Sequence, residues 1–91
     1  MGIYYKAVDE LRKEFIESPK GFSIKSPGIF HPNNPFPNIV IMANHLGNNF
    51  IIVNDSGLYD DLYYDESLKD MTDYYYKMFC EYFPNYNFEK I

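Results

Sequence analysis

Five carboxylates fall within a dozen residues: Asp55, Asp60, Asp61, Asp65 and Glu66. Tyr59, Tyr63 and Tyr64 are interleaved with them, and no Lys or Arg stands between Asp55 and Glu66. Carboxylates at this density could hold a hard divalent cation, which takes several oxygen ligands. The spacing, however, is not the alternating Asp-x-Asp-x-Asp-Gly of a helix–loop–helix calcium site, and a nuclease-like use would need a positioned Lys or His in the segment. His31, His45 and Cys80 come from three separate stretches, without the paired spacing of structural zinc ligands. A Cys80–His nucleophile pair is no better placed. Cys80 lies beside the apolar stripe of a long helix, where a buried and inert thiol is expected. No glycine-rich phosphate loop and no serine elbow is present. The chemistry expected is recognition rather than catalysis, with no metal and no cofactor; a metal-dependent enzyme is the weakest alternative.

A solvated acidic turn accounts for Asp55 and Asp65 but not for the interleaved rings. Tyrosine is enriched in protein interfaces because its ring brings area while its hydroxyl tolerates water. Carboxylates beside it attract a basic partner and speed its docking. The candidate partner-binding residues are therefore Asp55, Tyr59, Asp60, Asp61, Tyr63, Tyr64, Asp65 and Glu66. Leu58, Leu62 and one of the tyrosines should anchor the segment to the core, and the flank carrying Tyr74 and Tyr76 is the rival face. The partner expected is a protein with a basic, nucleic-acid-binding surface, and a homodimer stays open. The chain carries 13 Asp and Glu against 8 Lys and Arg, a net charge of −5, which argues against direct binding to nucleic acid or to an anionic membrane.

The elements that must position these residues follow from periodicity. Ninety-one residues are expected to form one domain, 1–91, with a single core and little margin. Ten Tyr and eight Phe exceed what so small a core encloses, so some rings should lie at the surface. Tyr4, Val8, Leu11 and Phe15 make one stripe of a helix over Ile3 to Glu17, ended by Ser18-Pro19. Phe22 to Ser26 alternates as a half-buried strand. The stretch to Pro37, with four prolines, reads as an ordered surface loop anchored by Ile29, Phe30 and Phe36. Asn38 to Ala43 is expected as a second strand. Phe50-Ile51-Ile52-Val53 follows as the third and central one, stopped by Asn54-Asp55-Ser56-Gly57 with positive φ available at Gly57. A second long helix from about Glu66 to Tyr82 is N-capped by Asp65, with Leu68, Met71, Tyr75, Met78, Phe79 and Tyr82 inward. The tail from Asn85 could pack through Tyr86 and Phe88. The fold class expected is α+β: a three-stranded antiparallel β-meander flanked by an N-terminal and a C-terminal helix, in the order α-β-β-β-α.

No apolar run approaches the roughly 20 residues of a membrane-spanning helix, and the N-terminus lacks the basic-then-apolar layout of a signal peptide. Lys6 stands where a myristoylation motif starting at Met1-Gly2 wants Ser or Thr. A single cysteine excludes an intrachain disulfide and fits a reducing compartment. The cytoplasm is the expected location, that of a host cell if the chain is phage-encoded.

The run Ile24-Lys25-Ser26-Pro27, then Ile39 to Met42, Phe50 to Val53, Asp55-Ser56-Gly57 and Leu62 resembles a small bacterial and prophage domain of uncharacterised function. That domain shows a strand ending in Ser-Pro, a loop, two hairpin strands, and Asp-x-Gly followed by Leu. More loosely, the small size, acidity and order of elements are similar to those of some phage anti-CRISPR inhibitors. The resemblance implies a non-enzymatic phage-type inhibitor that binds a host nucleic-acid-directed defence protein. The alternative it leaves is a regulatory or structural prophage domain with another protein partner.

Overall fold

The chain begins with a β-hairpin, not a helix. Strand β1 (Tyr5–Asp9) pairs antiparallel with β2 (Glu14–Ile16), matching Ala7 to Ile16 and Val8 to Phe15. The four-residue loop Glu10-Leu11-Arg12-Lys13 joins them, and Lys13 takes the left-handed conformation at φ 57° that closes such loops. The helical stripe expected over Ile3 to Glu17 arises by coincidence of spacing. Ala7 and Val8 face opposite sides of a sheet buried on both, and Leu11 sits at the hairpin tip, 86% exposed. The computed structural model describes residues 3–57 and 59–86, so the expectations for Leu58 and Phe88 lie outside the described residues.

Phe22 to Ser26 is not a strand; it is a loop that touches β1 through a single bridge between Tyr4 and Lys25. The proline-rich stretch that follows is partly interior rather than a surface loop. Ile29, Asn34, Pro35 and Phe36 are fully buried, while Phe30 is exposed. Asn34 organises it: its amide donates to the carbonyls of Ser23 and Gly28, and its oxygen accepts from Ser18 Oγ and the Phe36 amide. The backbone runs so close that a Cβ on Gly28 would lie 2.6 Å from Ser23.

Helix α1 (Phe36–His45) occupies the stretch expected as the second strand. Pro37 at the first helical positions is a helix-start signal. Phe36, Ile39, Val40 and Ala43, at i, i+3, i+4 and i+7, are the buried face, with Ile41 outside. Strand β3 (Ile51–Asn54) forms where expected, but at an edge. The sheet order is β3-β1-β2-β4, with β1 in the middle and β3 antiparallel to it. Ile51 is therefore 41% exposed and Ile52 half-buried, while Val53 is fully enclosed. The Asn44 side chain pairs with the Phe50 backbone, accepting its N–H at 2.7 Å and donating to its carbonyl at 3.1 Å.

The second long helix is two elements. A four-residue helix α2 (Asp60–Tyr63) comes first. Strand β4 (Lys69–Asp70) then pairs parallel with β2, making the sheet mixed, and α3 (Thr72–Tyr82) follows. Asp65 caps no helix; its carboxylate accepts from the amide and hydroxyl of Ser67, and Asp70 accepts the Thr72 N–H at the start of α3. Tyr75 and Phe79 are buried, but Tyr82 is exposed, and so is Cys80, expected inside. The class is α+β, with the order β-β-α-β-α-β-α in place of α-β-β-β-α.

The sheet has two covered faces. Ala7, Ile16, Phe50 and Ile52 pack with α1 and α3 in the main core. Val8 and Val53 face the other way, under Leu62, Tyr63 and Leu68, with Phe15 alongside. The acidic segment is thus the lid of the smaller core. No described helix is long and apolar enough to cross a membrane.

Candidate functional site

The acidic segment starts at the end of β3. Asp55 extends the ladder by one residue: its N–H donates to the Tyr4 carbonyl, and its carboxylate accepts the Tyr4 N–H at 3.2 Å. Gly57 then turns the chain at φ 140°. Tyr59 starts α2 in the left-handed conformation, φ 56° and ψ 44°. A bulky residue is rarely found there, because Cβ crowds the following carbonyl. No side-chain bond caps the helix at this position, and the residue is 54% exposed.

From there the eight candidate residues divide. Tyr59, Asp60, Asp61, Tyr64 and Glu66 are exposed. Tyr63 is the tyrosine that anchors the segment, lying with Leu62 against Val8, Val53 and Leu68. Tyr64 crosses Tyr63 edge to face at 5.0 Å and points its hydroxyl back to the Asp55 carbonyl at 3.5 Å. Asp55 and Asp65 are half-buried and occupied with backbone bonds. Burial raises the Tyr63 phenol above its ordinary pKa, and the negative charge of Asp55 and Glu17 pushes the same way. Its two bonds from Ser67 hold Asp65 below the usual aspartate range.

The cation in closest contact with this segment among the described residues is Lys6, and its role is not visible from charge alone. Lys6, off the apolar stripe of the expected helix, projects from central strand β1 beneath α2. Its ammonium lies 4.5 Å from the ring centres of both Phe15 and Tyr63 and donates to the Tyr63 carbonyl at 3.0 Å. Contacts of this type are worth about 0.5–2 kcal/mol each, more where water is excluded. The signal that could have found it is alternation: Tyr5, Lys6, Ala7 and Val8 place Lys6 on the same face as Val8. Glu17 lies beyond it, its carboxyl raised by burial and by Asp70 and lowered by Lys6.

The other chemistry-bearing residues are dispersed. His31 Nδ1 accepts the Asn33 N–H, and His45 is exposed in the last turn of α1. Among the described residues, no three His, Cys, Asp or Glu side chains converge as metal ligands. The rival flank divides as well: Tyr74 is exposed, whereas Tyr76 packs on the main core, its phenol raised by burial and by Cys80. An apolar groove of about 310 Å³ runs between α1 and α3, lined by Ile41, Met42, Phe79 and Phe83.

What the geometry can do is present rings and charge. Tyr59, Asp60, Asp61, Tyr64 and Glu66 are each exposed, spread along one short helix and the turns on either side of it. No family model, no curated protein and no solved structure matches the chain.

Proposed function

We propose that this chain is a non-enzymatic binding protein that engages a basic protein surface through the ridge Tyr59–Asp60–Asp61–Tyr64–Glu66. The observation that carries the reading is Tyr59, a large aromatic residue exposed to solvent on a backbone conformation that costs energy. Strain of this kind persists only where the surroundings impose it, and it concentrates at sites of function. A solubilising acidic turn has no use for it. Asp60 and Asp61 supply long-range attraction, and the Tyr59 and Tyr64 rings supply contact area at the centre. The partner in this reading is a host nucleic-acid-directed defence protein, whose phosphate-binding groove the ridge would occupy. That choice rests on the small size and acidity of the chain alone, because the Ser-Pro strand and the first hairpin strand of the prophage resemblance do not form here.

Capture from a bacterial lysate on the parent protein supplies the partner, and rates measured at two salt concentrations test the ridge. Asp60→Lys/Asp61→Lys should slow association by about tenfold at low salt, with a smaller difference at moderate salt. Tyr59→Ala and Tyr64→Ala should act on dissociation instead. If the reversed pair binds as the parent does at both salts, the ridge is only a solvated surface, and Tyr74 or the α1–α3 groove becomes the place to look.

A further inference from the structure

We infer that Lys6 is the positioning residue of the ridge: its ammonium, held between Phe15 and Tyr63 and bonded to the Tyr63 carbonyl, locks α2 onto the sheet in the one pose that turns Tyr59 and Tyr64 outward. For its functional consequence the inference rests on the ridge reading above.

No backbone–backbone hydrogen bond among the described residues ties 59–68 to the sheet. Among the described residues, the backbone hydrogen bonds within 59–68 all stay inside it, such as Leu62 to Tyr59, Tyr64 to Asp60 and Leu68 to Asp65. Attachment to the sheet ladder resumes only at Lys69, whose N–H donates to Lys13. Within 59–68, Lys6 Nζ reaches the Tyr63 carbonyl from central strand β1 at 3.0 Å, and the Tyr64 hydroxyl makes a longer bond, 3.5 Å, to the Asp55 carbonyl just past β3. The acceptor of the Lys6 bond lies in the last turn of α2, where carbonyls lack helical partners and cations are favoured.

Apolar contact alone would leave the pose loose. Leu62 and Tyr63 could slide or rotate over Val8, Val53 and Leu68 at little loss, because hydrophobic burial has no direction. A cation centred on two ring faces and one carbonyl does have direction. It fixes the Tyr63 ring, and through the edge-to-face contact at 5.0 Å it fixes Tyr64 as well. Lys6 is suited to hold this reference point because β1 is paired on both sides.

Amide hydrogen exchange on the full chain tests this without a partner. In Lys6→Met, which keeps the aliphatic stem, the amides of Leu62, Tyr63 and Tyr64 should exchange at least about tenfold faster. Those of β1, β3 and α3 should stay within about twofold of the parent. Lys6→Arg, a cation that also stacks on rings, should restore protection. Unchanged exchange at the three amides in Lys6→Met overturns the inference. A rise spread over every amide also overturns it, because the role of Lys6 is then general stability. The ridge is scored separately with an arginine-rich peptide as the probe. Removing a positive charge should by itself tighten that peptide's binding, so weaker binding by Lys6→Met supports the lock. If the peptide fails to bind the parent, the ridge reading falls while the exchange result still decides Lys6.

Discussion

At the scale of single residues, two side chains work against their local preference. Tyr59 occupies the left-handed region, which Asn tolerates because its short polar side chain bonds locally. Tyr59→Asn should therefore raise stability by up to about 1 kcal/mol while weakening partner binding, and thermal melting with binding rates would record the opposed signs. A loss of stability would mean that the Tyr59 ring packs favourably and that the strain account is wrong. Asp9 is the second such residue, a carboxylate only 1% exposed. It accepts from the backbone amides of Arg12 and Asn49 and from the Asn48 side chain, whose amide also reaches Glu14 and the Tyr75 hydroxyl. The hairpin and the α1–β3 connection thus meet on Asp9, and α3 joins them through Tyr75 on the Asn48 amide and Glu14. Asp9→Asn turns one acceptor into a donor facing donors, and denaturant unfolding should show a loss of about 1–3 kcal/mol. A loss below about 0.5 kcal/mol would show that the cluster rearranges freely.

At the scale of elements, the legible features were those with one dominant signal. Phe50 to Val53 is apolar and β-branched and forms a strand; Thr72 to Tyr82 is periodic and forms a helix. Gly57 turns the chain at positive φ as expected. The hairpin was illegible for a physical reason. Its loop carries no Gly, Asn or Pro, and Lys13 adopts the conformation that Gly would normally mark. Both strands contribute to two cores, so no clean apolar–polar alternation remained to oppose the helical stripe. The reverse error at Asn38 to Ala43 came from a β-branched run outweighing Pro37 and the i, i+3, i+4, i+7 spacing. In the candidate site, the exposure of Asp60 and Asp61 and the anchoring by one tyrosine could be read from the pattern, but not which tyrosine anchors. Lys6 was legible only through the alternation from Tyr5 to Val8, which the coincident helical stripe masked. The edge position of β3 has a measurable consequence. Ile16→Ala in the main core should cost about 2–5 kcal/mol, and Ile51→Ala on the exposed edge clearly less. Equal losses would contradict the strand order. Gly28→Ala tests the other tight place, where a Cβ meets Ser23, and should cost about 1–3 kcal/mol in the same unfolding experiment.

At the scale of the whole molecule, acidity couples the sheet to the ridge through pH. Burial raises the Glu17 carboxyl above its ordinary value, Asp70 raises it further, and Lys6 opposes both. In the window between the ordinary glutamate pKa and this raised value, the folded chain binds more protons than the unfolded one. Stability attributable to Glu17 therefore falls as pH rises through that window, and the charged carboxylate is a net burden above it. Asp65 has the opposite sign. Its pKa is lowered by the Ser67 bonds, so its contribution is full above the ordinary aspartate value and is lost as pH falls through the lowered one. Glu17→Gln should then raise the melting temperature at about pH 7 and lose that advantage at about pH 3, where the parent carboxyl is protonated in both states. The same substitution in a Lys6→Met background should give a larger gain at neutral pH, because the cation that offsets the buried carboxylate is gone. Melting curves of the four proteins at both pH values form a double-mutant cycle. Additive effects at neutral pH would show that Lys6 and Glu17 do not sense each other and that the ammonium acts on the rings and the Tyr63 carbonyl alone.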